Sequence, residues 1–291
     1  MTEIVARGRV FFAGGWGDLP VQPKFHSLLT APTGTGKTAV ATMAATELGA
    51  KLLRISAPGW IPASGRGAVK ETISVIAEAV ARNERTLLAI DEICKIQDRD
   101  GDNSWKSYCR GELYDLADGR WPTGLKPPED DDEPLIGLDD LTKKLRETVF
   151  ILGIGTFQDW FDSTGTRRSI GFGAENNTAD EISAEDIAER LPRELLNRFN
   201  NSLVRLPELQ AEHYLRIARQ AEESLPERMR QAFAAAVAAR IGGAISAKKG
   251  VRFLEEAMLD TLKNLPPEPK FELVLRENCR PEPDPFDLCT L

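Results

Sequence analysis

Residues 31–38 read Ala-Pro-Thr-Gly-Thr-Gly-Lys-Thr, and residues 87–92 read Leu-Leu-Ala-Ile-Asp-Glu. A Gly-rich turn ending in Lys-Thr can direct backbone N–H groups at phosphate oxygens where a helix begins. In that arrangement Thr33, Gly34, Thr35 and Gly36 form the cradle, and the two glycines permit its tight path. Lys37 reaches the β and γ phosphates, and the Thr38 hydroxyl ligates Mg²⁺. Asp91 ends an apolar run, so its carboxylate can hold the same Mg²⁺ directly or through water. Glu92 is then the candidate general base that polarises the attacking water. The chemistry expected is binding and hydrolysis of a nucleoside triphosphate with Mg²⁺. Ala31 departs from the pattern, which has Gly there. The bland alternative is a Gly-rich turn that binds no nucleotide, with an Asp-Glu pair of the kind many solvated loops carry.

The flanking elements fit the chemical reading. Residues 25–30 (FHSLLT) form an apolar run that predicts a strand feeding the turn, and residues 38–48 (TAVATMAATEL) are Ala-rich and helix-prone. Further strand-like runs fall at 51–56, 86–91, 148–155 and 201–206, with helical stretches between them. Such alternation predicts an α/β fold, a parallel five-stranded sheet flanked by helices. After Pro207 the composition shifts to Ala, Glu, Arg and Leu, with no strand signal before KFELVL at 270–275. The expected organisation is a large α/β nucleotide-binding domain over 1–207, a small helical lid domain over 208–275, and a loose, Pro-rich tail over 276–291. The Pro-rich, acidic stretch 119–140 reads as a solvated surface loop.

Composition limits the classes of function. The chain has 291 residues, 42% hydrophobic and 28% charged, with a formal net charge of −8. An acidic balance does not advertise a general nucleic-acid surface. No apolar run approaches a membrane span, and the N-terminal stretch lacks the apolar core of a signal peptide, so a cytoplasmic location is expected. Cys94, Cys109, Cys279 and Cys289 show no metal-ligand spacing, and two histidines are too few to suggest a zinc site.

Beyond the turn, a series of motifs resembles the ClpX/HslU-type AAA+ unfoldases. Asp91-Glu-Ile-Cys-Lys-Ile96 is similar to the Asp-Glu-Ile-Asp-Lys-Ile segment of that family, and residues 149–157 (VFILGIGTF) are similar to its sensor-1 strand, with Thr156 the polar sensor. Ile170-Gly171-Phe172 resembles the peptidase-docking tripeptide. Residues 191–198 (LPRELLNR) resemble the run that ends in an arginine finger, here Arg198. Residues 249–262 look like the sensor-2 helix, with Arg252 as its arginine. Residues 57–62 (APGWIP) stand where the family has its substrate-gripping pore loop, which assigns Trp60 and Ile61 that role. The alternative for Trp60 is a loop side chain tucked against the core.

The resemblance covers roughly residues 25–275. It implies a homo-oligomeric ring of six subunits, ATP as nucleotide, protein substrates, and a ClpP-type peptidase as partner. Arg252 would act within its own subunit and Arg198 in a neighbour's site, which a head-to-tail ring permits. Three departures stand out. No zinc-binding domain precedes the Gly-rich turn, the segment that frames adenine is not recognisable, and the helical domain looks short. The leading expectation is an ATP-driven protein unfoldase threading polypeptide through a pore. A stand-alone remodelling or assembly ATPase without a peptidase stays open, as does a nucleic-acid motor on the same core.

Overall fold

The computed structural model describes residues 1–264, apart from 17–18, 22, 63–69, 97–103, 131–132, 157–190, 200–201 and 207–208. Five strands form one sheet: β1 (Ser27–Thr30), β2 (Lys51–Ser56), β3 (Thr86–Asp91), β6 (Val149–Gly155) and β7 (Leu203–Arg205). Their order is β2-β3-β6-β1-β7, and every pairing is parallel. β1 and β6 are buried at every position, because helices cover both faces of a parallel sheet. The chain leaves β1 by crossing over β6 and β3 to reach β2. Ligands in open α/β sheets bind beyond the carboxyl ends of the strands at such a crossover.

Two apolar layers sandwich the sheet. On one side lie α1 (Thr2–Ala13) and α2 (Lys37–Leu48), whose Ile4, Val5, Phe11, Ala41, Ala44, Ala45 and Leu48 meet Leu29, Phe150 and Leu152. The alanines of α2 let it lie close to the strands. On the other side α3 (Thr72–Arg82), α4 (Ser104–Ala117) and α5 (Leu138–Thr148) bury Ile73, Ile76, Leu113, Leu116, Leu141 and Leu145 against Leu88, Ile90 and Ile151. Lys144 of α5 donates from Nζ to the carbonyls of Val80, Ala81 and Asn83, which satisfies the open carbonyl end of α3.

The C-terminal helices make a third, separate core. Helices Ala211–Ser224 (α7), Glu227–Ser246 (α8) and Phe253–Asn264 (α9) pack through Tyr214, Ala218, Ala244 and Phe253. The short helix α6 (Arg193–Arg198) precedes β7. Among the described residues, no helix is long and apolar enough to cross a membrane.

Two expectations change. Trp60 is not an exposed paddle: it is 1% exposed, and its Nε1–H donates to Glu112 of α4 at 2.7 Å. The Gly and Pro around it do make a turn, but burying a large indole that also finds an acceptor outweighs exposing it. Ile61 is half-buried, and its N–H is held by the Thr72 hydroxyl at 2.8 Å. The acidic stretch 119–140 is not wholly loop. It contains a two-residue antiparallel pairing of β4 (Glu129–Asp130) with β5 (Glu133–Pro134) and the start of α5. The N-terminal stretch, where no element was expected, is the helix α1, whose Phe11 stacks on Trp16 and touches Phe25 and Phe150. The 270–275 run, the tail, and Ile170, Gly171 and Phe172 lie outside the described residues.

Candidate nucleotide site

The turn predicted to hold phosphate does connect β1 to α2. Gly34 and Gly36 have φ of 80° and 89°, values that a Cβ would strain, and Gly36 is the N-cap of α2. The first N–H groups of a twelve-residue helix therefore open onto the end of β1, where an anion is favoured. The Thr35 hydroxyl donates to the Pro32 carbonyl at 2.8 Å and braces the turn. Ala31 is fully buried, so its methyl is a core atom, which explains why Gly is dispensable there.

Lys37 folds back on the turn. Its Nζ donates to the carbonyls of Ala31 and Pro32 at 3.0 and 2.9 Å. Burial lowers the ammonium pKa below its ordinary value, and Arg252 adds to this, while Asp91, Cys94 and Glu92 oppose it. A half-desolvated cation facing two carboxylates is poised to gain from phosphate oxygens.

Asp91 ends β3, and Glu92 follows it in the left-handed region, at φ 54°. The Asp91 Oδ1 accepts the Glu92 N–H at 2.9 Å, which fixes the sharp exit from the strand. A non-glycine residue in this region is strained, and such strain gathers at working sites. It projects Glu92 from the strand end beside the turn. Thr156 follows β6, with its Oγ1 3.9 Å from Cys94 Sγ.

These groups line one cleft of about 870 Å³, shared by Thr33, Gly34, Gly36, Lys37, Thr38, Asp91, Glu92, Thr156 and Arg252. Its size and its charge suit a nucleoside triphosphate. Thr38 and Asp91 are the oxygen donors that would hold Mg²⁺, and a bound Mg²⁺ neutralises developing phosphate charge.

Residues 27–169 match the model of the ATPase family associated with various cellular activities (AAA). The match supports an AAA domain over that part of the chain. The α/β sheet and its phosphate turn are the AAA+ P-loop NTPase fold, and they support an ATPase of that class. No curated protein matches the chain.

Two arginines expected at the AAA domain's nucleotide occupy very different places. Arg252 lies on a short turn, Gly250–Arg252, and enters the cleft. Arg198 lies at the opposite end of the sheet. Its Nη2 donates to Asp118 at 2.8 Å, and Asp118 also pairs with Lys24, which precedes β1. The length of β1, ~13 Å at strand spacing, separates it from its own phosphate turn.

Among the cleft residues that the sequence did not single out are the charged Arg54, Lys95 and Glu255. Arg54 of β2 reaches Asp91 Oδ2 at 3.6 Å and lines the same cleft. Its signal was an arginine between the apolar Leu52, Leu53 and Ile55 of the run 51–56.

Proposed function

We propose that the protein is an ATP-driven, ClpX-like remodeller of polypeptides that works as a homo-oligomeric ring. The observation that carries the ATPase part is the convergence of Lys37, Thr38, Asp91, Glu92, Thr156 and Arg252 on one cleft. Lys37 and the N-terminus of α2 bind and orient the phosphates, Glu92 takes the proton of the attacking water, and Thr156 orients that water. Arg252 offers positive charge from the helical unit, so the cleft closes only when that unit is in place.

The position of Arg198 supports the ring: it stands at the far end of the sheet from its own phosphate turn, and a head-to-tail contact would bring it to a neighbour's nucleotide. The polypeptide substrate rests on the ordered resemblance to ClpX/HslU-type unfoldases. With Trp60 in the core, substrate grip falls to other residues of the 57–71 connection or elsewhere. A ClpP-type peptidase remains the partner proposed for Ile170, Gly171 and Phe172.

ATP turnover measured with an unfolded protein and with DNA tests the substrate class. Stimulation by the polypeptide alone is expected. Stimulation by DNA alone would make the chain a nucleic-acid motor.

A further inference from the structure

We propose that Asp118 and Tyr114 park the Arg198 guanidinium inside its own subunit, and that Asp118 thereby sets how readily Arg198 reaches a neighbouring nucleotide. The proposal rests on Arg198 acting in trans.

An arginine that serves a phosphate across an interface must present its N–H groups outward. Those of Arg198 are turned in. Nη2 donates to Asp118 Oδ2 at 2.8 Å and Nη1 to the Glu194 carbonyl at 2.9 Å. The guanidinium carbon lies 4.4 Å over the Tyr114 ring, and the side chain is 21% exposed. Stacking on an aromatic face and bonding a carboxylate are both favourable for this planar cation.

The parked state is nevertheless built to be left. Arg198 Nε is buried with no hydrogen-bond partner among the described residues. An unpaired buried donor is a cost borne only while the side chain stays in. Asp118 is also shared: Lys24 Nζ lies 3.5 Å from its Oδ1 and Arg120 Nη2 3.2 Å from its Oδ2. Both cations are more exposed than Arg198, and both remain to neutralise the carboxylate when Arg198 leaves. Removing a cation from a buried carboxylate is costly when nothing replaces it. Here two replacements already stand in place, which keeps the exchange shallow.

The experiment is ATP turnover at subunit concentrations spanning assembly, for the parental protein, Asp118→Asn, Arg198→Ala and the double variant. Asp118→Asn should raise turnover about five-fold where assembly is partial, the size a half-buried ion pair supplies. The gain should vanish in the double variant, which should match Arg198→Ala alone. Turnover of Asp118→Asn at or below the parental value, or a gain surviving without Arg198, overturns the parking. Parental turnover in Arg198→Ala instead removes the trans role on which it rests. If Asp118→Asn does not fold, Tyr114→Leu opens the other wall of the cage. The same Arg198-dependent gain there supports the proposal, and its absence counts against it.

Discussion

The backbone N–H of Val251 donates to the carbonyl of Gly34 at 2.8 Å. This bond ties the turn that carries Arg252 directly to the phosphate turn. The approach is so close that neither side tolerates a side chain. A Cβ on Gly34 would lie 2.6 Å from the Lys249 carbonyl oxygen, and one on Gly250 would lie 2.6 Å from Gly34 Cα. Gly250 also sits at φ 65°, and its N–H donates to the buried Tyr214 hydroxyl at 3.0 Å. The helical unit is thus keyed to the nucleotide cleft through two glycines rather than through side chains.

Gly250→Ala should break that key. The left-handed backbone alone costs alanine about 1 kcal/mol, and the contact with Gly34 forces the turn to retreat. Arg252 then leaves the cleft, and nucleotide affinity should fall about ten-fold, since charge-assisted contacts of this kind contribute on that scale. Titration with a fluorescent nucleotide reads the change. Parental affinity and turnover in Gly250→Ala would mean the interlock has no bearing on binding.

Glu92 and Lys37 should separate cleanly. Glu92→Gln keeps the shape of the exposed side chain but removes its basicity, so ATP should bind and persist while turnover drops by about a hundred-fold or more. Lys37→Ala removes the cation that now rests on Ala31 and Pro32, and should weaken binding by about ten- to a hundred-fold. Equilibrium binding and single-turnover hydrolysis distinguish the two. Hydrolysis at the parental rate in Glu92→Gln would remove it from the reaction.

Trp60 should behave as a core residue. Trp60→Ala is expected to cost about 3–5 kcal/mol of stability, because it deletes a fully buried indole. It also deprives the buried Glu112 carboxylate of an N–H donor. A urea unfolding curve superimposable on the parental one would return Trp60 to the surface.

Trp60 marks where legibility ended. The Gly and Pro around it correctly signalled a turn, but the acceptor that captures the indole is Glu112, 52 positions away. Arg198 and Asp118 meet across 80 positions, and nothing local announces either pairing. The runs at 51–56 and 86–91, by contrast, coincide with β2 and β3 end for end. β3 is a central strand, buried on both faces and bounded by Arg85 and Glu92, so its limits show in the sequence, whereas β2 at the sheet edge is marked by the apolar Leu52, Leu53 and Ile55 between Lys51 and Ser56. The run at 25–30 overshot β1 because Phe25 and His26 continue the apolar pattern into an aromatic cluster past the hydrogen-bonded ladder. Helix α1 was legible and went unread: Ile4, Val5, Gly8 and Phe11 fall on one helical face.

His26 should give the protein a pH-dependent stability. Its Nδ1 accepts the Ile151 N–H at 3.2 Å, which holds the neutral ring against β6. Its pKa is lowered from 6.5 to about 4, chiefly by burial and also by Lys24, with Asp118 opposing them. In the unfolded chain the imidazole protonates near 6.5, whereas in the fold it resists until about 4. The stability supplied by the neutral ring is therefore complete above 6.5 and is lost as the pH falls from 6.5 toward 4. The loss through this group approaches about 3 kcal/mol at the acid end. Carboxylates titrate over part of the same range, so the parental curve alone cannot assign the slope. His26→Asn supplies the assignment, because its Oδ1 can replace Nδ1 as acceptor for Ile151 while nothing at the site titrates. Urea unfolding between about pH 7 and pH 4.5 should show a shallower decline for His26→Asn than for the parental protein, whatever their difference at neutral pH. Parallel declines would mean that His26 takes up its proton as readily in the fold as in the unfolded chain.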